Sequence, residues 1–126
     1  MERHVNLLGT LATLWGALAM LVGVSMLLLA AGALAELLAP VANRVDFAAS
    51  LTAAVFVLIG VFALVWGGAH IWAAVLLRRR RALGRFLSLG LAIVNLLVLP
   101  FGTAFGAYAL WVLLRDDSRR LFEPAR

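Results

Sequence analysis

Residues 85–115 read RFLSLGLAIVNLLVLPFGTAFGAYALWVLLR, an uncharged run of 29 residues closed by arginine at each end and interrupted at its centre by Pro100. How this stretch is read decides the fold. As one kinked helix it would carry the chain across a bilayer once. As two short helices turning at Leu99-Pro100-Phe101-Gly102 it would enter and return. Proline has no amide to donate and clashes with the preceding turn, so it marks a break. Basic residues gather on the cytoplasmic side of membrane proteins. With the turn, ten of the eleven arginines share one side and only Arg44 lies opposite. With a single helix, Arg115, Arg119, Arg120 and Arg126 would be sent across. Charge placement therefore predicts a hairpin.

Two further uncharged runs precede it, 32 residues between Arg3 and Glu36 and 31 between Asp46 and Arg78. A crossing takes about 20 apolar residues, so each run is long enough. The first is roughly twice the length of a signal-peptide apolar region. Composition agrees: 126 residues are 65% apolar and 13% charged, with a mean hydropathy of +1.06. A soluble domain carries about 45–50% apolar and about 25% charged residues. A water-soluble globule, a disordered chain and a collagen-like chain are excluded. The absence of cysteine excludes a disulfide framework, a thiolate metal site and a cysteine nucleophile.

The expected fold is an all-α membrane protein with four transmembrane helices in an antiparallel, left-handed bundle. One transmembrane domain covers residues 1–126, with helices at about 5–35, 47–77, 82–99 and 102–115 and a cytoplasmic tail over 116–126. Glu36 and Pro40 end the first helix, and Ala39–Asp46, with Asn43 and Arg44, reads as a polar loop. From Arg85 to Pro100 a helix is only about 22 Å long, against a hydrocarbon core of about 30 Å. Residues Ala82–Gly84 and snorkelling of Arg85 and Arg115 make up the difference. A re-entrant wedge that turns short of the far face is the alternative for helices 3 and 4.

In lipid the hydrophobic force between helices is absent, so helices associate through close backbone contact and hydrogen bonds. The first helix has Gly9, Gly16, Gly23 and Ala30 at seven-residue spacing, followed three residues on by Ala12, Ala19, Met26 and Ala33. These are the two seam positions of a left-handed pair. The second helix repeats the pattern with Ala53, Gly60, Gly67 and Ala74. The fourth carries Gly102 and Gly106 at small-xxx-small spacing.

Polar residues inside a membrane are costly and are candidates for function. His70 and Asn95 stand out as pore-lining or interhelical contacts, alongside Ser25, Thr52, Ser88, Thr103 and Tyr108. Imidazole titrates near neutral pH when unperturbed, which allows a proton-relay or ligand role for His70. The alternative is a hydrogen bond to a neighbouring helix, fixing the rotation of helix 2. Asn95 shares a face with Gly84, Ser88 and Leu91, where an amide bonds across helices. Arg78, Arg79, Arg80, Arg81 and Arg85 form the one dense charged feature. They set topology and attract anionic headgroups at the cytoplasmic face. A loop of about eight residues offers no element for reading nucleic acid. The tail, with Arg119, Arg120, Leu121 and Phe122, has the character of a short amphipathic turn. No phosphate loop, histidine pair or intramembrane carboxylate marks an enzyme, a metal site or a cofactor site.

The stretch from Asn95 to Leu114 also carries a pattern, N-L-x3-P-x-G-T-x2-G-x-Y-x-L-W-x-L-L, without a gap. With the basic loop Leu77–Ala82 before it, this resembles an uncharacterised group of small bacterial membrane proteins with four helices. The resemblance covers about a third of the chain and implies a bacterial origin and four membrane helices. It carries over no activity. It also implies a specific turn, in which Pro100 ends helix 3 and Thr103 caps helix 4.

The expectation is a multi-pass protein of the bacterial inner membrane with both termini cytoplasmic. It is read as non-enzymatic, embedded in the lipid bilayer, and packed through its Gly/Ala seams with a second copy of itself or another membrane protein. The alternative is a small oligomeric channel or transporter, with His70 and Asn95 lining the path.

Overall fold

The computed structural model describes residues 2–37 and 46–122, and among these it contains helices and turns but no strand. The helices are α1 (Glu2–Leu37), α2 (Asp46–Arg78), α3 (Ala82–Asn95), α4 (Phe101–Leu114) and α5 (Asp116–Arg120). α1 and α2 contain no proline and are long and apolar enough to cross a membrane. The polar loop expected over 39–46 lies outside the described residues up to position 45, and Asp46 opens α2.

α3 stops at Asn95, four residues short of the expected end. Beyond it the amides of Leu97 and Val98 reach only three residues back, to the carbonyls of Val94 and Asn95. Pro100 sets the outer limit of this stretch, because it cannot donate and disfavours helical geometry in the residue before it. Thr103 does not cap α4. Pro100 occupies the cap position without a side-chain bond, and the Thr103 hydroxyl instead donates to the Leu96 carbonyl at 2.9 Å. It thereby satisfies an acceptor freed where α3 ends.

The chain divides into two compact units, one comprising residues 16–68 and the other residues 1–15 with 69–126. The first consists of α1 and α2 segments running antiparallel. Gly16, Gly23 and Ala30 of α1 are buried, as are Ala53, Gly60 and Gly67 of α2. At Gly67 the backbones nearly touch: a Cβ added there would lie 2.5 Å from the Gly16 carbonyl oxygen and 2.6 Å from Met20 Cγ. Gly23 and Gly60 face each other in the same way, each within about 3.0 Å of the other's carbonyl oxygen once a Cβ is built. The outward side chains, among them Leu21, Leu28, Leu58, Phe62 and Val65, are large, apolar and exposed.

The second unit gathers the first turns of α1, the end of α2, and α3 to α5. Its core consists of Val5, Leu8, Leu77, Ala92, Ala109, Val112, Leu113 and Phe122. α3 and α4 pack against each other, with Gly106 set against Ala92: an added Cβ would meet that carbonyl oxygen at 2.5 Å. Gly84 is equally tight against the Leu76–Leu77 backbone of α2, where a Cβ would come within 2.6 Å. Gly102 is buried at the turn, and a Cβ there would meet Val98 Cβ at 2.5 Å.

Candidate functional site

Three groupings of polar side chains occur, all in the unit formed by residues 1–15 and 69–126. The first is buried. Asn95 Nδ2 donates to His70 Nε2 at 2.7 Å, and the two residues are 0% and 1% exposed. Polar atoms sealed from water are expensive unless paired, so this bond ties the rotation of α3 to that of α2. The buried face of α3 consists of Gly84, Ser88, Ala92 and Asn95, which recur at helical spacing. Two acceptors on it, Ser88 Oγ and Asn95 Oδ1, are buried without a hydrogen bond. A cavity of about 10 Å³ has His70 and Ser88 in its lining, together with apolar residues that include Leu8, Ala12, Leu77 and Phe105.

The second grouping is the basic turn after α2. The Arg80 amide bonds the Leu77 carbonyl at 3.0 Å and the Arg81 amide bonds the Leu76 carbonyl at 3.1 Å. Together they close a Schellman cap. Such a cap needs a left-handed residue, and Arg80 supplies it with φ 53°. The five arginines then diverge. Arg78 Nη2 donates to Thr13 Oγ1 at 3.4 Å, and Arg80 Nη2 donates to Asn6 Oδ1 at 3.2 Å. Arg85 does not simply extend toward the surface: its Nε donates to the Leu113 carbonyl at 3.1 Å, closing the end of α4. Arg79 and Arg81 are exposed. Gly9 is buried against α2, where an added Cβ would make ordinary contacts with Arg78 Cγ at 3.4 Å and the Ala74 carbonyl oxygen at 3.7 Å.

The third grouping joins the start of α1 to α4. His4 Nδ1 pairs with the Tyr108 hydroxyl at 3.1 Å and meets the Trp111 ring edge-on at 5.6 Å between centroids. The Arg115 guanidinium lies 4.9 Å from the Trp111 ring centre, a cation–π contact.

Sequence reasoning singles out His70 and Asn95 because each is polar in an apolar run, but not that they meet. It misses the close approach of Gly84 to α2, the His4–Tyr108 bond and the closing of α4 by Arg85. Each depends on which residues of two different helices meet, for which the local sequence has no signal. Among the described residues no three His, Asp or Glu side chains gather as a metal site would need.

No family model, no curated protein and no solved structure matches the chain.

Proposed function

We propose that this chain is a non-enzymatic, multi-pass protein of the bacterial inner membrane that acts by packing with a second copy or another membrane protein. The outward faces of α1 and α2 carry the argument. Leu28 is 69% exposed, Leu58 72% and Phe62 64%, while glycine and alanine occupy the contact between the two helices. Large apolar groups turned outward and small ones turned inward suit a lipid surroundings, where packing is achieved by close backbone approach.

In this reading α1 and α2 cross fully, and α3 and α4 form the short hairpin that returns the chain to the cytoplasmic face. Fourteen residues per leg give about 21 Å of helix, and the turns at 96–100 supply the remaining depth. Both termini and the basic turn then share the cytoplasmic side, with the arginines at anionic headgroups. Burial of His70 and Asn95 within a single chain favours an interhelical bond over a path between subunits.

The test is topology in cells. A single cysteine at Phe101→Cys should react with an impermeant reagent from outside, and a reporter fused after Arg126 should be active only in the cytoplasm. Recovery of the protein in a detergent-free supernatant, or reporter activity in the periplasm, overturns the reading.

A further inference from the structure

The left-handed position of the Schellman cap after α2 is filled by an arginine and not by glycine. Arg80 has φ 53°, a left-handed geometry that is costly for residues with a Cβ and free for glycine. One of its guanidinium nitrogens, Nη1, is also buried without a partner. An outlier kept at one residue points to work done by its side chain.

That side chain is seated, and so is its neighbour. Arg80 Nη2 donates to Asn6 Oδ1 at 3.2 Å and Arg78 Nη2 to Thr13 Oγ1 at 3.4 Å. The Thr13 hydroxyl proton is already engaged with the Gly9 carbonyl at 2.8 Å, which leaves its lone pairs for the guanidinium. Between the two seats the Arg78 stem passes Gly9, where an added Cβ would lie 3.4 Å from Cγ, an ordinary contact. Asn6, Gly9 and Thr13 are spaced three and four apart and so form one stripe of α1. Among the described residues the ion pair formed is Arg119 with Asp116. Arg78 and Arg80 are thus held by neutral partners, and among the described residues neither forms an ion pair.

We propose that Arg78 and Arg80, seated on Thr13 and Asn6, present preorganised guanidinium groups to the phosphodiesters of anionic phospholipids. Guanidinium groups match phosphate oxygens in geometry and charge, and neutral seats fix their direction without cancelling that charge. Arg79 and Arg81 are exposed and unseated, and add only diffuse attraction. The proposal rests on the reading that this turn lies at a membrane surface, but it makes a narrower claim: position, not charge count, sets affinity.

The test is a titration of the full-length protein in detergent micelles, read by native mass spectrometry, with phosphatidylglycerol, phosphatidylcholine or inorganic phosphate. Phosphatidylglycerol should bind and phosphatidylcholine should not. Asn6→Ala with Thr13→Val leaves the net charge unchanged yet should weaken phosphatidylglycerol about fivefold, the worth of one basic contact at a surface. Arg79→Gln with Arg81→Gln, which removes two charges, should cost less. An unaffected seat variant, or equal losses at every arginine, overturns the site in favour of diffuse attraction. Displacement of the lipid by millimolar phosphate overturns the lipid as source. Should the seat variant not fold, the wild-type protein decides: its preference must survive about 1 M salt, where screening shortens to about 3 Å, and loss of preference refutes the site. The cysteine-labelling and fusion readouts above are independent of these titrations, so failure of the membrane reading registers separately.

Discussion

Replacing Gly67 by alanine should separate close packing from mere abundance of small residues. The added methyl would lie 2.5 Å from the Gly16 carbonyl oxygen, 2.6 Å from Met20 Cγ and 2.9 Å from the Met20 amide nitrogen, where ordinary contact begins at 3.4 Å. Two of these three atoms are backbone, so the helices must move apart by about 0.9 Å at that level. A gap of that size forfeits a quarter to a half of the dispersion energy at each affected contact, and forced overpacking costs about 1–3 kcal/mol. Opposing this, alanine favours a helix over glycine by about 1 kcal/mol. Gly68 is the control, because nothing lies within 4 Å of a Cβ built there. Gly68→Ala should be neutral or slightly stabilising, and the two neighbouring variants should differ by about 1–3 kcal/mol. Unfolding in mixed micelles, followed by circular dichroism against denaturing detergent, measures the difference. The same geometry ranks Gly60→Ala and Gly23→Ala between the two, since their built Cβ atoms approach to 2.9 Å and partly meet movable leucine side chains. If Gly67→Ala and Gly68→Ala unfold together, the seam is not a close backbone contact and the argument for α1–α2 packing fails.

Asn95→Leu should destabilise by about 1–3 kcal/mol by leaving a buried imidazole nitrogen unpaired. Adding His70→Leu should recover part of that loss, with a double-mutant coupling near 1 kcal/mol in the same unfolding assay. Arg80→Gly should relieve about 1–2 kcal/mol of left-handed strain once its bond to Asn6 is removed from the comparison, so it is measured in an Asn6→Ala background; a destabilised variant there refutes the cap geometry. Phe122→Ala should cost about 3 kcal/mol, because Phe122 is buried in the core with Val5, Leu8 and Leu113, and an unchanged unfolding midpoint would show that it does not pack there.

Legibility differed from residue to residue, for physical reasons. A seven-residue spacing of small residues is a geometric statement about one side of a helix, so the positions at 9, 16, 23 and 30 and at 53, 60, 67 and 74 can be singled out from spacing alone; all eight are buried. The end of α3 cannot be read that way. Residues 96–99 are as apolar as those before them, and Pro100 sets only an outer limit. The stop at Asn95 is decided by three-residue amide bonds and by Thr103, which binds the Leu96 carbonyl seven positions before it. The close approach at Gly84 is invisible for a related reason: its neighbour is the α2 backbone at Leu76, brought there by a turn whose left-handed residue is an arginine and not the glycine that would announce it. The pairing of His70 with Asn95 spans 25 positions, and composition marks the partners without linking them.

The two units are held by different chemistry, and this predicts where each tolerates change. Among the described residues every buried polar side chain, namely His70, Ser88, Asn95 and Ser118, belongs to the unit formed by residues 1–15 and 69–126. The unit of residues 16–68 has none of them, and at its glycine contacts backbone meets backbone, with Met20, Leu27 and Leu64 side chains alongside. Backbone contact is sensitive to volume and indifferent to polarity on its outer face. A hydrogen-bonded core is sensitive to loss of either partner, because the group left behind stays buried. α3 and α4, at fourteen residues each, have too few turns to be aligned by a long small-residue stripe. A short helix that must hold one rotation relative to its neighbours therefore needs directional bonds. Asn95 to His70, Thr103 to Leu96 and Arg85 to Leu113 provide them at both ends of the pair.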